Sequence, residues 1–123
     1  MQGKINNFYD LDAWKKGNSF VLEIYRYTKG FPKEELYGIV SQLRRASSSI
    51  TANIAEGFSR FHFNDKIRFY LNARGSVSEA QNFILLAKDL EYLKEEHFKS
   101  LFCLSEDVNK LINGLIRSIE RQK

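Results

Sequence analysis

Arg44 and Arg45 form the most concentrated basic pair inside a helical pattern, and guanidinium groups engage phosphates through paired hydrogen bonds. Further along, Arg60, Lys66 and Arg68 are interleaved with Phe58, Phe61, His62, Phe63 and Tyr70. Cations beside flat rings suit single-stranded RNA, whose backbone is attracted by charge and whose bases stack on aromatics. Yet aromatic and arginine enrichment is equally a mark of subunit interfaces, and the same rings can close the end of a helical core. Composition favours interface or core over a stacking platform. The remaining cations, among them Lys15, Lys16, Arg74, Lys110, Arg117 and Arg121, are dispersed between acids and read as solvated surface.

A second constellation runs beside the Arg pair. Arg45, Ser49, Asn53 and Glu56 border an apolar helical seam, and Glu79 can join them from a neighbouring helix. The expected role is a hydrogen-bonded network that fixes helix register, because a buried polar group left without a partner is costly. Catalysis has no comparable support. Ser47, Ser48 and Ser49 have no histidine beside them on their helix, and no Glu-x-x-His pair of the kind found in di-iron bundles occurs. Two histidines and one cysteine leave no imidazole or thiolate cluster for a metal. The expectation is a non-enzymatic protein with no catalytic residue, no cofactor, no metal and no small-molecule substrate.

Four helices are needed to position these groups. Asp10 or Asp12 is expected to cap a helix over 11–28, with Trp14, Gly17, Val21, Ile24 and Thr28 as its seam. Gly30 and Pro32 in the KGFPK segment break the chain. A continuous helix over 33–58 follows, with Leu36, Ile39, Leu43, Ala46, Ile50, Asn53 and Gly57 in steps of three and four. Asn64 reads as the cap of a third helix ending near Leu90, with Phe69, Tyr70, Ala73, Ser76, Val77, Ala80, Ile84 and Ala87 on its core face. Gly75 inside that helix calls for close approach by a partner, since glycine there costs roughly 1 kcal/mol relative to alanine. The fourth helix, 95–121, carries the seam Phe98, Leu101, Ser105, Val108, Ile112, Leu115 and Ile119. Links of a few residues cannot return the chain along such helices, so neighbours run antiparallel. The predicted fold is all-α, an up-down-up-down four-helix bundle in one domain over 1–123, with an irregular N-terminal arm at 1–10.

Composition agrees with one ordinary core: 123 residues, 43% hydrophobic and 28% charged. The net charge of +4 permits an anionic partner without demanding one. Cys103, flanked by Phe102 and Leu104, is expected as a small core residue in a reducing compartment. No signal-peptide pattern and no membrane-length apolar run occurs, so a cytoplasmic protein without a membrane partner is expected.

Three stretches carry a resemblance: FYDLDAWKKG at Phe8 to Gly17, GFPKEELYGIVSQLRRASSSITANIAEG at Gly30 to Gly57, and RFYLNARGSVSEA at Arg68 to Ala80. They resemble the bacterial four-helix-bundle proteins named for the 23S rRNA intervening sequences in which some are encoded. The resemblance implies an up-and-down bundle assembled as a ring-like homopentamer, with an association with RNA or a ribonucleoprotein such as the ribosome. That fold is also similar to the accessory protein of diversity-generating retroelements, a basic pentamer. The alternative function is a protein-interaction scaffold that does not itself bind nucleic acid.

Overall fold

The computed structural model describes residues 4–123. Its four long helices are α1 (Asp12–Thr28), α2 (Ser41–Ser59), α3 (Phe63–Asp89) and α4 (Glu95–Gln122). Each packs on its neighbours in the order α1 on α2, α2 on α3, α3 on α4 and α4 on α1, the arrangement of an antiparallel up-down-up-down bundle. No strand occurs among the described residues.

The apolar seams account for the core. Leu43, Ala46, Ile50 and Ile54 of α2 face Tyr70, Ala73, Val77, Ala80 and Ile84 of α3, and Leu101, Val108 and Ile112 close the layer from α4. In α1 Gly17, Ile24 and Thr28 are buried as expected, and the other two seam positions shift by one residue. Ala13, Gly17, Phe20, Ile24 and Thr28 are buried, while Trp14 and Val21 are only partly covered. Phe20 beside Val21 and Ala13 beside Trp14 make two phases nearly equal in apolar content, and packing selects the bulkier Phe20. Asn53 likewise stands aside for Ile54, Phe69 is half-buried, and Leu36 is 48% exposed. Cys103 is exposed, on the α4 face away from Leu101 and Ser105, and is not a core residue.

The helix expected over 33–58 is not continuous. A 3-10 turn at Lys33–Glu35 leads into a π-helical turn at Leu36–Val40, in which Gly38 leaves helical geometry with φ −108° and ψ −116°. The carboxylate of Glu35 lies beneath this turn. It accepts the Ile39 amide at 3.5 Å and the Tyr92 hydroxyl at 2.8 Å, and it lies where a Cβ on residue 38 would be 2.6 Å from its Oε1. A Cβ at residue 38 would require that carboxylate to move from this position. The hydrogen bond from Tyr92 to Glu35, helped by partial burial, raises the tyrosine's pKa.

Helix ends also differ from expectation. Asp10 does not cap α1; it accepts from the Asn6 and Asn7 amides and closes a 3-10 turn at Phe8–Asp10. The described part of the arm is therefore ordered, with Phe8 in edge contact with Trp14 at 5.6 Å; residues 1–3 lie outside the described residues. α1 starts after Leu11, and α3 starts after His62 with Asn64 already inside it. α3 ends in a Schellman motif, in which the Tyr92 and Glu91 amides donate to Ala87 and Lys88 and Glu91 adopts φ 62°.

Two glycines have opposite surroundings. A Cβ on Gly57 would meet Tyr70 Cε1 at 2.7 Å and Phe69 Cβ at 3.1 Å, whereas one on Gly75 would meet nothing within 4 Å. The close approach expected at Gly75 is thus not made within the chain. Gly57→Ala is expected to destabilise by about 1–3 kcal/mol through overpacking, and Gly75→Ala in the isolated subunit to stabilise by about 1 kcal/mol, both read from denaturant midpoints. Burial pushes the Tyr70 phenol up to about 12. Its folded pKa lies above the unfolded value near 10, so its contribution is complete below pH 10 and is lost as pH rises toward 12. Alkaline melts should show that loss, and Tyr70→Phe should reduce its pH dependence.

Candidate functional site

The five candidate contact residues fall into two groups. Arg44 and Arg45 sit in the first turns of α2, and Arg60, Lys66 and Arg68 gather where α2 turns into α3. Sixteen residues of helix, about 24 Å at 1.5 Å per residue, separate Arg44 from Arg60. They do not form one patch on a single subunit.

At the α2–α3 turn, ring and charge are interlocked. The guanidinium carbons of Arg60 and Arg68 lie 4.6 and 4.5 Å from the centroid of Phe69. Arg60 pairs with Glu56 one turn back, and Arg68 approaches Asp65 at 3.7 Å. Lys66 donates to the Phe58 carbonyl at 2.8 Å, taking up an acceptor in the last turn of α2, and partial burial lowers its pKa. Phe61 is 88% exposed and stands edge-on to His62 at 5.2 Å. A shallow cavity of about 540 Å³ opens beside His62, Phe63 and Asp65. The surface combines exposed rings with cations whose own ion pairs are solvent-accessible, and such pairs hold each other by only about 0–1 kcal/mol.

The two arginines of α2 differ in partner. Arg45 is bound to Glu79 of α3 at 2.7 Å and to Gln42 at 3.0 Å. Arg44 donates from Nε to Thr28 Oγ1 at 3.0 Å and covers the Tyr25 ring at 4.6 Å. Among the described residues it has no carboxylate partner.

The polar stripe is divided into separate bonds. Asn53 donates to the Ser49 carbonyl at 2.8 Å and to its hydroxyl at 3.1 Å, and Ser76 of α3 donates to the same hydroxyl at 3.0 Å. Arg45–Glu79 is a second link, and Glu56 turns instead to Arg60 on its own helix. Several cross-links had no sequence signal beyond a polar residue near a seam: Gln81 to Ser105 at 2.9 Å, Arg74 to Asn113 at 3.0 Å, and Tyr92 to Glu35. Ser105, lying on the α4 seam, was the one such residue whose position called for a partner.

No group of three or more histidine, cysteine, aspartate or glutamate side chains that could hold a metal occurs among the described residues. No described helix is long and apolar enough to cross a membrane.

Comparison with known proteins gives two findings. The sequence profile described as 23S rRNA-intervening sequence protein matches residues 9–114. A crystal structure of a protein with unknown function from the S23 ribosomal protein family of Bacteroides thetaiotaomicron superposes with a TM-score of 0.79. It is 24% identical over 85% of this chain and 95% of that one, which shows a shared fold. No curated protein matches the chain.

The accessible Arg45–Glu79 pair should show a coupling of about 0.2–1 kcal/mol in a double-mutant cycle with Arg45→Ala and Glu79→Ala, fading as salt rises. In contrast, Glu35→Gln and Tyr92→Phe should each lower the thermal midpoint and be less than additive together, because either one breaks the same hydrogen bond.

Proposed function

The chain belongs to the 23S rRNA-intervening sequence protein family, and from that premise we propose that it is a non-enzymatic, self-associating helical module that contacts RNA or a ribonucleoprotein in the cytoplasm. The observation that carries the RNA part is the α2–α3 turn. There Phe61, 88% exposed, follows Arg60 in the chain and offers a stacking face in the same turn as the Arg60 and Arg68 guanidiniums on Phe69. Base–aromatic stacking is worth about 1–3 kcal/mol per base and tolerates any sequence, while the cations follow the backbone.

One subunit makes a weak RNA ligand, since its excess charge is +4 and two of the three local cations already touch carboxylates. Assembly supplies the remainder. A homopentamer multiplies the charge fivefold and repeats the turn around a ring, so binding at one turn raises the effective concentration of the others. Surface for self-association is available: Tyr37 is 92% exposed and Leu22 62%, with Tyr25 and Leu36 near half exposure. Gly75 on the exposed side of α3, with open space above it, also admits a close helix approach. The same apolar residues favour the second reading, a scaffold that docks another protein.

Mass measurement in solution should return about five times the subunit mass, with Tyr37→Asp and Leu22→Asp shifting the species toward monomer. Gel shifts with structured rRNA fragments are expected to weaken steeply with salt. Phe61→Ala and Arg68→Gln should each reduce affinity about 5-fold or more per subunit contact. A chain that assembles but binds no RNA at low salt ends the RNA reading, and protein partners that survive nuclease treatment then support the scaffold.

A further inference from the structure

The link between α1 and the π-helical turn borders a half-open cavity of about 350 Å³ that meets the surface offered above for self-association only at Leu36. Its walls are apolar: Phe31 and Val40 are almost fully buried, and Pro32 and Leu36 complete the lining. Its rim is cationic, with Lys29, Lys33 and Arg44. No carboxylate lines it; the nearby Glu35 is occupied by the Ile39 amide and the Tyr92 hydroxyl.

Arg44 is the decisive group. Thr28 Oγ1 spends its proton on the Ile24 carbonyl at 2.7 Å, so its lone pairs receive Arg44 Nε at 3.0 Å. The Tyr25 ring supports the guanidinium at 4.6 Å. With Nε anchored and one face covered, the side chain has lost most of its rotamer freedom, yet its terminal nitrogens meet no acceptor among the described residues. Arg26, Arg45, Arg60 and Arg68 have acids of this chain within 4 Å and Arg74 bonds Asn113, while Arg117 and Arg121 are exposed on α4. A preorganised, half-buried guanidinium fork beside an apolar cavity matches a carboxylate attached to a compact apolar body.

We propose that this cavity binds a compact aromatic or branched aliphatic carboxylate, the acid group on Arg44 and the apolar group between Phe31, Pro32, Leu36 and Val40. Lys29 and Lys33 supply the field that draws the anion in. The volume, near the lower end for ligand sites, admits about one ring and its acid. Two sources share this chemistry: a free acid, or the C-terminal residue of a peptide. The site is independent of the RNA reading, since it lies some 24 Å along α2 from Arg60.

Titration of the intact chain by amide-resonance NMR tests it with four probes: 3-phenylpropionate, N-acetylphenylalanine, N-acetylphenylalanine amide and inorganic phosphate. Both acids should shift the resonances of Phe31, Leu36 and Val40. The amide, which lacks the charge, and phosphate, which lacks the apolar body, should bind at least about tenfold more weakly, as loss of a charge-assisted bond or of a buried ring requires. Arg44→Gln should weaken both acids about tenfold or more while leaving the rest of the spectrum in place. Tighter binding of N-acetylphenylalanine than of 3-phenylpropionate assigns the peptide source, and the reverse order the free acid; either upholds the site. Equal binding of acid and amide overturns the proposal, as do saturation by phosphate alone at the same concentration and an absence of shifts at these three residues. Should Arg44→Gln unfold the chain, the comparison of acid with amide on the native chain decides the matter.

Discussion

The close approach of α2 to α3 is the constraint on which the rest of the bundle depends. Gly57 rests on the ring of Tyr70 with no space for a Cβ, and Ala46, Ala73 and Ala80 are fully buried in the same layer. Small residues let two backbones approach closely, so side chains as short as serine can reach across. Ser49 and Ser76 do so at 3.0 Å. The short crossing distance also brings Arg45 within reach of Glu79, and it leaves α1 and α4 to close a core whose shape is already set. Hydrophobic burial drives the assembly, but the spacing of the α2–α3 pair decides which polar groups can be satisfied inside it.

Periodicity made the helices and their order legible, because each seam repeats over four or more turns and the links are too short for any other connection. Phase and continuity were less legible. Adjacent apolar residues such as Phe20 and Val21 leave two helical phases nearly equivalent, and only packing distinguishes them. Gly38 looks tolerable inside a helix pattern, since its local cost is small. The break there coincides with a bond between Glu35 and Tyr92, which are 57 positions apart in the chain. Cys103 was misplaced because its apolar neighbours are adjacent in sequence, whereas on a helix neighbours three and four positions away share its face. Of the site residues, Arg45 and Glu79 could be paired only after the register of two helices was known.

Charge in this protein is differentiated by what each cation already touches. Lys66 completes a helix end, Arg45 ties two helices, and Arg60 and Arg68 share a ring while held loosely by acids. Arg44 is positioned with equal care but is left without an anion. Counting basic residues treats these as one reservoir of positive potential. Their surroundings divide them into structural, exchangeable and open groups, and only the last two are available to a partner.

None of the four long helices begins with a side-chain cap: Leu11, Val40, His62 and Lys94 stand at the N-cap positions without such a bond. Other ends are tied instead: Glu35 accepts the Ile39 amide in the turn that runs into α2, Lys66 takes the Phe58 carbonyl at its far end, and α3 closes in its Schellman motif. Opening free energy should be lower at the uncapped starts of α1, α3 and α4 than at the buried Ile50, Val77 and Val108. The turn that carries Phe61 and His62 stands at the uncapped start of α3, with the Phe61 ring exposed and the Gly57–Tyr70 contact fixed beneath it.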